Sequence, residues 1–364
     1  LPDAFMHANI GPTDNRVARA ILRVDAELKQ IAPNLTLLYD PQASGDEILA
    51  IASNNIVECC KPHIANHPVH AAAFDERGYG IVSCYNVLPI AGGASTLTRI
   101  NLKEVALRSS GEDDFFAHTL PRYLDLNFRL TQSRIDYLFN ESNFFQSFLV
   151  EERWIEADRF TAMFGVFAMA EAVNALQEKE ARAGRYGFDE EANALGHRIS
   201  AVLAEAVDNR PLNNAWRGRA LLHSQAGISD DVEATPGVRI PYGTEPDPVT
   251  HVEALSPHHQ YYASGISEIL TVDESVRNNP EAIQQLCKGA FARGFREFTV
   301  NVASNDLVRV TGYMVRLSDI KKYKEQQGSR TNTTVLGAEA ADVTGILDRK
   351  PRVVGNELYP GHSQ

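Results

Sequence analysis

An α/β fold is predicted for this 364-residue chain because strand-like and helix-like stretches alternate twice before residue 66, again after residue 159, and once more before residue 302. The apolar run Ala4–Ile10 reads as an interior strand. Thr13 and Asp14 are good helix-capping types. Val17, Ile21, Val24, Leu28 and Ile31 follow at spacings of three and four, which predicts an amphipathic helix over 13–31. Asn34–Tyr39, bounded by Pro33 and Pro41, is the next strand, so residues 4–39 have the order of a parallel crossover unit. A second unit follows, with a helix from Gly45 carrying Ile48, Leu49, Ile51 and Ile56, a stop at Pro62, and a strand His63–Asn66.

From Arg77 the chain is turn-rich, and the run Gly80–Gly93 puts Cys84 at a strand end or hairpin tip. Residues 100–210 read as largely helical, interrupted by a strand Phe160–Phe164 that passes through Gly165 into a helix over 166–178. Gly, Pro and acidic residues dominate Gln225–Pro257, which predicts long loops of the kind that carry binding residues. A helix over 280–294 leads to the strand Glu297–Val302. After Asp319 a Lys-rich helix and a polar tail close the chain.

With 44% hydrophobic and 23% charged residues, the chain can bury a large core. Its net charge of −12, with no local Lys/Arg cluster, repels phosphate backbones and anionic lipid alike, so neither nucleic acid nor a membrane is an expected partner. No apolar stretch approaches the roughly 18 residues that span a bilayer. Leu1 and the abrupt start into a strand read as a C-terminal fragment of a longer protein. Cys59, Cys60, Cys84 and Cys287 are too few for a disulfide framework, which favours a reducing cytoplasm. Without a Cys-x-x-Cys, neither a zinc ribbon nor an iron–sulfur motif is expected.

Near the C-terminus stands Leu307-Val308-Arg309-Val310-Thr311-Gly312-Tyr313. A Cα radical is stabilised by the flanking amide and carbonyl, and only glycine leaves that centre planar inside a tight loop. An isolated Arg-Val-x-Gly-Tyr fits an ordinary turn glycine as well. What adds to it is Ser83-Cys84-Tyr85-Asn86, followed by Gly92-Gly93-Ala94 and then Thr98-Arg99-Ile100-Asn101-Leu102.

Two motifs in this order resemble the glycyl radical enzymes, such as pyruvate formate-lyase, in which a thiyl cysteine precedes an Ala-Arg-x-Asn-Leu block and a radical glycine lies far downstream. The blocks Asn9–Asn15 and Glu58–His63 extend the likeness over the whole chain, most closely to the YjjI-type glycine radical enzymes. The resemblance implies a single domain over 1–364, with 297–335 as the glycine-radical loop and following helix. Its fold is expected to be a ten-stranded α/β barrel of two parallel five-stranded half-sheets packed antiparallel, with cysteine and glycine loops meeting inside, and to include more N-terminal sequence. Gly312 would store a radical and Cys84 would use it, as a thiyl, to take hydrogen from a small organic substrate under anaerobic conditions. No bound cofactor is implied. The radical would come from a separate activating partner using S-adenosylmethionine and an iron–sulfur cluster. A homodimer is left open.

The resemblance also distributes supporting roles. Arg309 and Tyr313 would pack the glycine loop. Arg99 matches an arginine that holds a substrate carboxylate, although capping a loop would serve it equally. Asn86 stands where the dehydratases of the family carry a Glu, which counts against a general base there. The pair Cys59-Cys60 is the rival thiyl site or a second redox thiol, and Cys287 fits a core. His63, Asn66 and Asn9 fall at strand ends where they would line the barrel mouth, against the plainer role of satisfying backbone. Glu253, His258 and His259 would bind substrate or move protons, or simply occupy a solvated loop. Met163-Phe164-Gly165 would be barrel wall. Ser83 in place of a second cysteine disfavours a formate-lyase-like acyltransferase, and the missing zinc motif disfavours a ribonucleotide reductase. The remaining alternative is a non-catalytic barrel acting as a binding or subunit module.

Overall fold

Asn15, extended at φ −152°, accepts the amides of Val17 and Ala18 at 3.0 and 2.9 Å and so begins the first helix, α1, at Arg16–Leu28. The cap is therefore not Thr13 or Asp14, and Asp14 instead grips Arg19. The inward stripe is also rotated from the expected one. Ala18, Leu22 and Asp25 are buried, Ile21 and Ile31 pack beside the core, and Val17, Val24 and Leu28 are exposed. Asp25 accounts for the rotation. It forms a buried ion pair with Lys61 and accepts the side-chain amide of Asn55 at 2.9 Å, which ties α1 to the second helix, α2 (Gly45–Cys59). Removing one partner of such a pair leaves an uncompensated buried charge, so Asp25→Ala should lower stability by about 3–5 kcal/mol in urea unfolding. A loss below about 1 kcal/mol would mean that Lys61 finds water.

The structure is a computed structural model that describes residues 6–224, 234–309 and 314–318, with 321, 325, 329–330 and 335–336 beyond them. Three parallel strands, β1 (His7–Ile10), β2 (Asn34–Tyr39) and β3 (His63–Asn66), form one set, paired as His7↔Asn34 and Thr36↔His63. The other set holds β6 (Gly93–Asn101), β7 (Phe160–Phe167), β8 (Ala220–Ser224), β9 (Glu268–Val272) and β10 (Glu297–Val302). β6, β7 and β8 are parallel neighbours, as are β9 and β10, and an isolated parallel bridge Ser224↔Ile266 links the two groups. The sets meet antiparallel where β10 pairs with β3, Glu297↔Ala65. Between them in sequence lies an antiparallel hairpin of β4 (Tyr79–Val82) and β5 (Asn86–Pro89).

Two parallel sets joined antiparallel agree with the predicted α/β class. The expected ten strands and closed barrel are not met among the described residues: eight strands are so arranged, and no ladder joins β1 to β6. β8 and β9 have no counterpart in the sequence expectation. They are five residues each and almost wholly buried, so they lack the alternation that marks a strand. Residues 93–101 are strand up to Asn101, and β7 continues to Phe167 before a helix at Met169–Lys179. Within the supposed loop region 225–257, of which 225–233 lie outside the described residues, Pro248–His259 is a helix capped by Asp247.

β2, β3, β7, β8 and β10 are buried along their full length. On their outer side lie α1, α2 and the helices Leu120–Asp136, Glu190–Asp208 and Glu281–Ala292, with Leu22, Ile48, Leu195, Ile199 and Ile283 among the core they share. Residues 5–314 form one compact unit. In the second, made of Leu1–Ala4 and Val315–Gln364, the described backbone includes two short antiparallel strands, Ser329–Arg330 and Val335–Leu336.

Candidate functional site

One face of β1, β2, β3 and β10 is polar. His7 and Asn9 on β1, Asn34 and Thr36 on β2, His63 on β3 and Glu297, Thr299 and Asn301 on β10 alternate with apolar residues that face the helices. Against this polar side rests the β4–β5 hairpin, with Ser83, Cys84 and Tyr85 at its tip. Ser83 and Tyr85 are left-handed, at φ 52° and 64°, a conformation costing about 1–3 kcal/mol per non-glycine residue unless surroundings enforce it.

Those surroundings can be named. The Asn9 side chain donates to the Ile81 carbonyl at 2.7 Å and accepts the Ile81 amide at 2.8 Å, extending β4 as a strand would. The Val87 amide donates to Ser264 O at 2.9 Å. Gly265, at φ 125°, lets the Tyr85 carbonyl approach to where a Cβ would lie only 2.0 Å away. The buried Tyr85 ring stacks on His63, centroids 3.8 Å apart, and its hydroxyl accepts from Thr299 at 3.3 Å. Cys84 is left half-buried between these anchors, with the Ser83 hydroxyl 3.8 Å from its sulfur.

Arg309, on the short strand β11 (Leu307–Arg309), is the bridge to the C-terminal motif. Its guanidinium lies 5.2 Å from the Tyr85 ring centre and donates to Asn34 at 2.8 Å. Its backbone amide and carbonyl are both held by the Asn301 side chain, at 2.9 and 2.7 Å. So Asn9 and Asn301 do the same thing, each three residues ahead of the residue of interest. Gly312 and Tyr313 themselves lie outside the described residues. Arg239, buried and bonded to Ser267 O, has its charge within reach of Cys84 and Tyr85.

Burial sets the titration of this interior. It pushes His7 down to about 4, aided by Arg309, His70 to about 3 and His223 to about 4. His63 also falls well below its usual range. Outside the site, His258 drops to about 3 and His259 well below normal. Glu297 moves the other way, raised to about 8 by burial. The unfolded chain takes up protons near 6.5 on six imidazoles that the folded chain keeps neutral, so stability should rise as pH climbs from about 4 to 6.5. Folded Glu297 keeps a proton that the unfolded chain releases near 4.5, so its own contribution declines from there to about 8. Urea midpoints should therefore peak near neutrality and fall toward pH 8. Glu297→Gln should remove the fall, and midpoints already flat there in the natural chain would count against a neutral Glu297.

Of the other residues singled out in the sequence, Asn86 begins β5 with its side-chain oxygen buried and without a hydrogen-bond partner. Arg99 lies on β6 opposite Gly165, its guanidinium 5.2 Å from the Phe167 ring centre, and Asn101 caps the helix Leu102–Arg108. Met163 and Phe164 are buried in β7, Phe164 within the hydrophobic core.

The segment of Glu253, His258 and His259 is placed otherwise than expected, and the cysteine pair lies apart from the hairpin. Glu253 is on the exposed face of the helix Pro248–His259, paired with Arg293, because that segment is helix rather than loop. On its inner face His258 bonds Ser200 and Tyr186, while His259 accepts the Arg296 amide. Cys59 is fully buried against Asn55 and Asp25, its thiol pushed up to about 12 by burial; Cys60 is buried with its sulfur accepting from Val302 N and Asn305. Both belong to the α2 layer rather than to the hairpin. Cys287 is core, as expected.

Sequence comparison matches residues 1–352 to the family described as glycyl radical enzyme YjjI-like. The chain belongs to the YjjI-like glycyl radical enzyme family. It is 58% identical, over its full length and 70% of the relative's, to the uncharacterised protein YjjI of Escherichia coli. In fold it is similar to a glycyl radical enzyme from Archaeoglobus fulgidus (TM-score 0.69, 14% identity, 85% of this chain and 55% of that one). It is also similar to the hydroxyproline dehydratase of Clostridioides difficile (TM-score 0.65, 13% identity, 86% and 55%). The chain thus spans little more than half the length of the glycyl radical enzymes of known structure it matches. Family members carry a glycyl radical installed by an activating enzyme. No helix among the described residues is long and apolar enough to cross a membrane.

The sequence reading overlooked Tyr85, Thr36, Glu297, Asn301 and His7. Their signal is the period of two in His7-Ala8-Asn9, Asn34-Leu35-Thr36 and Glu297-Phe298-Thr299-Val300-Asn301, where polar residues alternate with apolar ones, in β2 and β10 along strands buried on both faces.

Proposed function

We propose that this chain bears both radical residues of an anaerobic enzyme, with Gly312 storing an unpaired electron on its Cα and Cys84 using it as a thiyl on a small organic substrate. What carries the reading is Arg309, three residues before Gly312, whose guanidinium covers the Tyr85 ring next to Cys84. That contact draws the two motif-bearing segments together on the polar side of the strands. Tyr313 would pack the glycine loop, in the stretch 297–335. A hydrogen atom passes from the Cys84 thiol to the glycyl carbon, leaving a thiyl that attacks a C–H bond beyond the reach of acid–base side chains. The strands of 7–302 form the wall of a barrel around this chemistry.

Asn86, with a buried acceptor unused by the protein, receives an O–H or N–H of the substrate. Arg99, stacked on Phe167, offers a planar cation to an anionic substrate group. The radical is installed by a separate activating enzyme that uses S-adenosylmethionine and an iron–sulfur cluster, in the cytoplasm. Ser83 beside Cys84 disfavours acyl transfer through a cysteine pair.

Anaerobic incubation with the cognate activating enzyme should give a doublet in electron paramagnetic resonance, split by the one remaining Cα hydrogen and absent from Gly312→Ala. No signal from a folded, full-length chain would leave only a non-catalytic module.

A further inference from the structure

Around the hairpin, four buried polar atoms without hydrogen-bond partners belong to one connected group: Glu297 Oε2, His63 Nε2, His70 Nε2 and His7 Nδ1. Glu297 Oε2 lies 3.8 Å from His63 Nε2 and 3.6 Å from His70 Nε2, while Oε1 accepts the Ile266 amide at 2.8 Å. His63 Nδ1 is 3.2 Å from Thr36 Oγ1, and Thr36 Oγ1 is 2.8 Å from His7 Nε2. The His7 ring stands edge-on to the Tyr85 ring, centroids 6.3 Å apart, one residue from Cys84. One choice of tautomers orders these groups in a single direction. Glu297 O–H points at His63 Nε2, His63 Nδ1–H at Thr36, the Thr36 hydroxyl at His7 Nε2, and His7 Nδ1–H at the cysteine loop.

We infer that Glu297 and His63 form a proton relay that serves the Cys84 loop through Thr36 and His7, a role that rests on the radical reading above. Glu297 gives its proton to His63 Nε2, His63 passes its Nδ1 proton to Thr36, Thr36 passes its own to His7, and His7 Nδ1 delivers one to the Cys84 sulfur, which takes it as a thiolate and becomes the thiol. One proton moves, a carboxylate remains on Glu297, and nothing is oxidised or reduced. A small rotation of the Glu297 side chain closes the 3.8 Å step.

On the other side of Glu297 stands His70. The His70 ring packs on Tyr79, centroids 5.3 Å apart, and the Tyr79 hydroxyl meets half-buried His67 at 2.9 Å. The protonation states agree with this direction: Glu297 holds its proton up to about 8, and His7, His63 and His70 are neutral. The groups facing Glu297 are these two imidazoles, the Ile266 amide, Arg296 beside it and the Tyr79 phenol.

Two measurements on the full chain test this. In the activated protein moved to D2O, the glycyl doublet should collapse to a singlet as the Cys84 thiol exchanges its proton and returns deuterium to the glycine. In Glu297→Gln and Thr36→Val that collapse should slow on the order of 10²-fold, the low end of what a positioned acid or base contributes, while Thr36→Ser stays near the natural rate. Collapse at the natural rate in both folded variants overturns the relay.

The second measurement needs no radical. At neutral pH the infrared spectrum should contain the C=O stretch of a protonated, buried carboxylic acid that vanishes in Glu297→Gln and shifts in His63→Leu. Absence of that band, or its indifference to His63→Leu, also overturns the relay. A missing doublet in the natural chain refutes the radical reading instead, and the infrared result then decides the relay alone.

Discussion

Cys84→Ser, activated anaerobically, should carry the same glycyl doublet as the natural chain, and the doublet should persist in D2O without collapse. A serine O–H is too strong to exchange hydrogen with a glycyl radical, so the stored electron has no outlet. Cys59→Ser and Cys60→Ser should both keep the collapse. Their sulfurs are packed in the α2 layer, against Asn55 and Asp25 in one case and the Val302 amide and Asn305 in the other. Those two variants should instead lose stability, by about 1–3 kcal/mol in urea unfolding, as buried polar contacts are remade around a smaller atom. Collapse surviving in Cys84→Ser and lost in either of the others would move the thiyl to the adjacent pair.

Gly265→Ala should be nearly as damaging without touching a reactive atom. At φ 125° an L residue is strained, and its Cβ would fall 2.0 Å from the Tyr85 carbonyl and 3.1 Å from the His223 ring. Backbone strain and overpacking at about 1–3 kcal/mol each predict a loss of about 2–6 kcal/mol. Because the displaced atom is the carbonyl of the residue after Cys84, the radical should still form at Gly312 while exchange through Cys84 fails. The checks are urea unfolding and the doublet in D2O. A variant with natural stability and natural collapse would mean that the hairpin tip is not held by this approach.

How far the sequence was legible depended on what each residue answers to. The first strands, the hairpin tip at Cys84 and the strand into Arg309 were readable because local pattern and tertiary environment agree there. The inward face of α1 was not, since Asp25 is drawn inside by Lys61, 36 positions away, against its own polarity. Glu253, His258 and His259 were misplaced together because Pro257 and nearby Gly and Pro read as loop, whereas Asp247 caps a helix that tolerates the internal proline. The polar lining was visible as alternation, but which face carried chemistry depended on the β3–β10 junction, a pairing between residues more than two hundred apart.

The two asparagine clamps have a bearing on how such a site changes over time. Asn9 and Asn301 grip only main-chain atoms, those of Ile81 and Arg309. Any residue but proline presents those atoms, so the fastenings are indifferent to the sequence of what they fasten. The hairpin tip beyond the first is thereby relieved of part of the work of holding itself in position. Substitutions at 83 or 86 that retune the pocket for a different molecule can accumulate without unmooring the cysteine, and a lineage can explore new substrates on a fixed radical frame.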